Sequence, residues 1–94
     1  MNMQATQELL QMLKIDLGIR SEAYDSRLAD RLTEAMERLT AEGITLTDST
    51  ADMDLVVMYA AWLWRARVTG APMPRMLVTA RNNRLFGQKA RTEG

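Results

Sequence analysis

The chain has 94 residues, 47% of them hydrophobic and 26% charged, with twelve acids balanced by twelve bases; this is the composition of one small globular domain and excludes wholesale disorder. Cysteine and histidine are both absent, which excludes disulfides, thiolate nucleophiles, the commonest zinc ligands and the usual general base. Neither an enzyme nor a cofactor is expected, because the remaining options, carboxylate chemistry or a hard-cation site, leave no recognisable spacing.

The first predicted element runs from about Gln4 to Leu17, where Leu9, Leu10, Met12, Leu13 and Leu17 recur at nearly helical spacing and Gly18 supplies a stop. A second, clearer helix places Tyr24, Leu28, Leu32, Ala35, Met36 and Leu39 at steps of three and four with charges on its other face. Ser21 or Asp25 is a candidate cap for its start, and Gly43 for a left-handed end. The connector ITLTDSTADMD then offers Ser49 as the start of a third helix, with Asp52 and Asp54 suited to the positive helix end. Asp48, Asp52 and Asp54 can also be read as cation ligands, but capping explains them without a calcium-loop spacing.

From Ser49 to Thr69, ahead of Gly70 and Pro72, no turn signal interrupts the chain. Length and caps outweigh the alternating stretch WLWRARV, which taken alone favours a strand. At 100° per residue, Leu55, Met58, Tyr59, Trp62 and Ala66 line one side of this helix, and Met53, Val57, Ala60, Trp64 and Val68 the other. A helix apolar on two sides has to be covered on both. Either it is the central helix of the bundle, or one side meets another molecule. The candidate interface on the second reading is Met53, Val57, Trp64 and Val68 with Arg65 and Arg67, since tryptophan and arginine anchor interfaces.

A fourth helix is expected from about Pro74 to Leu85, burying Met76, Leu77, Ala80 and either Leu85 or Phe86, with Gly87 as its end. The residues after it, 87–94, are expected to form a short, basic, flexible tail outside a single helical domain of residues 1–86. The fold class is therefore all-α, a small bundle of about four helices whose third is long, central and apolar on both sides.

Charge is unevenly divided along the chain. Residues 1–54 carry eleven acids and five bases, a net of −6, whereas residues 55–94 carry seven bases and one acid, a net of +6. Such a chain can bind a polyanion with its basic end, join copies of itself head to tail, or pack its acidic and basic helices together. Arg81, Arg84, Lys89 and Arg91, interleaved with Asn82, Asn83 and Gln88, are the side chains that nucleic-acid readers use on phosphates and base edges. They lack an aromatic platform, and the loop after Gly43 is long for a helix-turn-helix. The eight methionines are adaptable filler or binding surface. No apolar run is long enough to span a membrane and the start of the chain has no signal-peptide pattern, so a cytosolic, soluble protein is expected.

The order of these segments resembles a known family. A short first helix precedes D-x-x-L-x-x-x-L-x-x-A (Asp25, Leu28, Leu32, Ala35); then come Glu42, Gly43 and Ile44, an aromatic helix with Tyr59, Ala60, Trp62, Leu63 and Arg67, and a final arginine-rich stretch from Met73 to Phe86. Over roughly Leu13 to Gln88 this resembles the small head–tail connector (adaptor) proteins of long-tailed bacteriophages and prophages. The resemblance implies an all-helical subunit without a cofactor, assembled as a homo-oligomeric ring beneath the portal, continuing the DNA channel and carrying the tail. The implied partners are further copies of itself, the portal and tail-completion proteins, and passing DNA held without sequence preference. The implied locations are the host cytoplasm during assembly and the head–tail junction of the virion. A small helical DNA-binding protein, regulator or packaging component, is the alternative, followed by an antitoxin-like module that binds a partner.

Overall fold

The computed structural model describes residues 6–93, with side chains through residue 90. The protein is all-α, with four helices in chain order: α1 (Gln7–Leu17), α2 (Asp25–Ala41), α3 (Thr50–Thr69) and α4 (Arg75–Glu93). Helices α1 and α2 pack on one another and on α3, and α4 packs on α3. The result is an elongated, thin body of 46 × 28 × 19 Å. Few helix faces of so thin a body can be covered from both sides.

The helix ends follow from their capping chemistry. The Thr6 hydroxyl accepts the Leu9 amide at 3.2 Å to start α1, and the Ser49 hydroxyl accepts the Asp52 amide at 3.2 Å to start α3. Helix α1 ends at Gly18, whose φ of 72° is one an L side chain rarely takes, and the Ile19 amide reaches back to the Lys14 carbonyl at 2.9 Å. The same closure ends α2, with Gly43 left-handed and the Ile44 amide on the Leu39 carbonyl at 3.1 Å. Expectation and structure differ at the start of α2. Neither Ser21 nor Asp25 caps it; Tyr24 occupies that position without a side-chain bond, and the Ser21 hydroxyl accepts the Ala23 amide instead. Gln4, the expected start of α1, lies outside the described residues.

The core is one cluster, built from Leu9, Leu10 and Leu13 of α1, Leu28, Leu32, Ala35, Met36 and Leu39 of α2, the apolar inner side of α3, and Leu77 of α4. Ile44 and Leu46 seal it from the loop between α2 and α3. Lys14 is also buried, its stem packed inside and its ammonium 2.8 Å from Asp25, which ties α1 to the first turn of α2.

Helix α4 runs well past its expected end. Gly87 does not stop it, and residues 87–93 are helical instead of forming a tail. The reason is tertiary: the Gln88 side chain accepts the Thr45 amide at 2.8 Å and donates to the Gly43 carbonyl at 2.8 Å. A helical position that binds the loop on either side holds the last turns where local propensity alone would release them.

Candidate functional site

The chain covers residues from both of the sides read from the sequence of α3: Leu55 and Tyr59 of one, and Val57, Ala60 and Trp64 of the other, are buried. Trp64 retains 8% of its exposure. Its indole meets Tyr24 edge-on, with centroids 5.7 Å apart, and the Arg67 guanidinium lies 3.5 Å over its face. The same Arg67 donates to the Trp64 carbonyl. Val57 is buried as well and Met53 is half-buried.

These positions correct the expected interface. Trp64 and Val57 are interior residues of a single subunit, Trp64 being covered by Tyr24. Val68, by contrast, is 77% exposed, and Arg65 points outward to Asp16 of α1 at 3.8 Å.

The strip left partly open belongs to the other tryptophan, beside the buried Leu55 and Tyr59. Met58 and Trp62 are half-buried and line a groove of about 300 Å³ with Ala71, Pro72 and Met76, and the Asp16–Arg65 pair stands at its end. The Trp62 indole N–H donates to the Ala71 carbonyl at 3.0 Å, and Tyr59 meets the ring edge-on at 5.6 Å. The groove wall is thereby held rigid, with its one polar handle satisfied. A second hollow of about 440 Å³ on the other side of Met58 is lined by Ala51, Asp54, Leu55, Ala80, Asn83 and Arg84. The first is an apolar trough against α3 with the Asp16–Arg65 pair in its lining; the second has Asp54 and Arg84 in its lining.

A second region is polar and closed. Asp52, 1% exposed, takes the Arg84 guanidinium at 2.6 and 3.1 Å and accepts both the amide and the hydroxyl of Thr47 at 2.7 and 2.8 Å. Arg84 also donates to the Thr45 carbonyl at 2.7 Å and to Gln88 at 3.3 Å. Burial pushes the Asp52 carboxyl up, but the hydrogen bonds from Arg84 and Thr47 outweigh it and hold the group below the ordinary carboxylate range. Bonding to Asp52 raises Arg84 in turn, against the opposing effect of burial. Asp52 is thus committed to an arginine, and among the described residues no group of three or more potential metal ligands converges.

The expected DNA- or portal-facing cations divide accordingly. Arg84 is turned inward on Asp52, and Arg81 lies 3.5 Å from Glu42 at the end of α2, with Met73 and Asn82 around it. Arg84 fastens α4 to the loop and first turn of α3, and Arg81 fastens it to the end of α2; both are half-buried. Lys89 is exposed, and the Arg91 side chain lies outside the described residues. Sequence reasoning did not single out the outer edge of α4. At 100° per residue Arg75, Asn82, Phe86 and Lys89 fall within an arc of about 60°, roughly opposite Leu77, Arg84 and Gln88. Phe86, one of two residues offered for burial at this end of α4, is 64% exposed there, with exposed Arg75 and Lys89 on either side of it along the helix; Met76, also expected inside, is 75% exposed, so Leu77 alone of α4 is fully buried among the described residues. The available signal was the periodicity of Phe86 itself, which no inward-facing residue of α4 shares.

Comparison with family models, with curated proteins and with solved structures gave no match to this chain.

Proposed function

We propose that this chain is a structural assembly protein of a phage particle, a head–tail connector subunit that forms a ring beneath the portal and offers a platform to the tail. The observation that carries the reading is the presence of two unlike open surfaces on one thin subunit: the trough at Met58 and Trp62, and the cation-flanked Phe86 on the far side of α4. A contact that joins one surface to a different one on the next copy is the kind that closes into rings. The segment resemblance to connector proteins points to the same role. In this reading the portal, the tail-completion proteins and passing DNA are partners of the finished ring, and no single subunit carries chemistry.

The DNA-binding alternative keeps one observation in its favour, the exposure of Arg75 and Lys89 around Phe86. Light scattering across concentrations separates the two. A closed species of many 10.6 kDa subunits, binding DNA weakly and losing it steeply with salt, supports the connector. A dimer that holds one DNA site in high salt contradicts it.

A further inference from the structure

We infer that α4 is a strap that leaves α3 as one unit, turning at residues 70–74 and unfastening its hold on the loop between α2 and α3, while α1, α2 and α3 stay folded. The inference concerns the fold itself and does not rest on the assembly reading. Its first support is the way burial is divided. Leu9, Leu13, Leu28, Leu32, Leu39 and Val56 of the first three helices are each 1% exposed or less. Helix α4 has 19 residues and gives the core one fully buried side chain, Leu77, among the described residues. Its seam with α3 is also sparse. Hollows of about 300 and 440 Å³ flank Met58, and each is lined by residues of both α3 and α4. Atoms that face a hollow have no packing partner there, so this seam gains less from dispersion than a filled one.

Polar contacts hold α4 instead, and they gather on its second half. Arg84 bonds Asp52 and the Thr45 carbonyl, Gln88 bonds the Thr45 amide and the Gly43 carbonyl, and Arg81 stands 3.5 Å from Glu42. From Arg75 to Lys89 the chain carries four bases and no acid, and the seat it occupies supplies Glu42, Asp52 and Asp54. Such ties are exchanged for bonds to water when they break, whereas parting the first three helices returns apolar surface to water with no replacement. The charged tie to the buried Asp52 is the costliest to break and makes the docked position the resting one. At the other end, α4 is joined to α3 through Gly70, with a φ of 66°, and the irregular run from Ala71 to Pro74. A helix with few buried apolar contacts, polar fastenings and an irregular connection is the kind of segment that opens without global unfolding. Opening bares Leu77 together with Leu55 and Met58 of α3, so the closed strap keeps an apolar strip covered.

Amide hydrogen exchange of the full chain in rising, sub-denaturing urea tests this. The α4 amides of residues 79–88 are expected to share one opening, at least about tenfold more populated than the one that exposes the α2 amides of residues 32–39, and with a smaller dependence on urea. Two variants establish the order of events. Leu28→Val is expected to speed exchange in α2 several-fold and to leave α4 unchanged, because the contacts it weakens persist when the strap is open. Gln88→Ala, which keeps a good helix former, is expected to speed both helices about tenfold, because its bonds are lost in either opening. If the α4 amides carry the urea dependence of α2 and are sped equally by Leu28→Val, α4 leaves only with the whole fold and the inference is overturned. Exchange in α4 residue by residue, with no common urea dependence, overturns it as fraying. Exchange in α4 unmoved by Gln88→Ala overturns the fastening on which it stands.

Discussion

Arg84 grips Asp52 with two nitrogens, at 2.6 and 3.1 Å, across 32 positions of sequence. The pair sits where α4, the start of α3 and the preceding loop converge, and the carboxylate is almost wholly withdrawn from water. Removing the cation strands a buried charge, which is far more costly than losing an exposed pair. Arg84→Met is therefore expected to destabilise the fold by about 3 to 5 kcal/mol, read as a shift of the urea midpoint. Asp52→Asn combined with Arg84→Met should cost clearly less than the two single changes added, since no uncompensated charge is then left. Strict additivity would mean that the two groups do not act as a unit.

The same carboxylate gives the stability a defined dependence on acid. Its folded pKa lies below its unfolded one, so between the two values the unfolded chain binds more protons, and stability rises with pH through that window. The contribution is complete above the unfolded carboxylate range near pH 4 and disappears as pH falls through the lower folded value. Asp52→Asn should flatten this limb of a stability profile measured between pH 2 and 6 relative to the parent. An unchanged slope in the variant would assign the acid sensitivity to other groups.

Enclosure of Trp64 by Tyr24 and Arg67 makes it a residue of the fold. Trp64→Ala is expected to cost about 3 to 5 kcal/mol, the range for truncating a buried aromatic, which in a domain of ordinary stability threatens folding itself. Arg67→Ala, which removes the cation over the ring and its hydrogen bond to the Trp64 carbonyl, should cost about 1 to 2 kcal/mol. Chemical denaturation checks both. A Trp64→Ala chain with parental stability and impaired assembly would restore the expectation drawn from sequence.

Gly87 lies inside α4 with an ordinary helical backbone and open space around a would-be Cβ, whereas Gly70 ends α3 at a φ of 66°. Alanine at position 87 is expected to stabilise the chain by about 0.5 to 1 kcal/mol, and alanine at position 70 to destabilise it. Thermal melts of the two variants should therefore move in opposite directions. Equal losses at both sites would mean that Gly87 ends the helix after all.

These cases mark what was readable in the sequence. The caps at Ser49, Gly18, Gly43 and Gly70 are local chemistry, acting within three or four residues, and so the first three helices could be placed from sequence. Which residues of α3 share a side was legible too, because periodicity records it. How far the chain covers each side was not, since Tyr24 reaches Trp64 from 40 positions away and no local pattern encodes that choice. The open wall accordingly proved to be that of Trp62. For the same reason Gly87 read as a stop and Arg84 as a free cation: the partners that overrule both readings, Gly43, Thr45 and Asp52, are supplied by another part of the chain.

The central claim is that the Met58–Trp62 wall of α3 awaits a second copy, and its most direct test is the solvent accessibility of Trp62 as a function of protein concentration. With Trp64→Phe, Trp62 becomes the sole indole, and acrylamide quenching of its fluorescence reports on the trough alone. Strong quenching is expected in dilute protein, falling several-fold as concentration rises. Quenching that is constant across the range, while scattering shows the chain assembling, would contradict it.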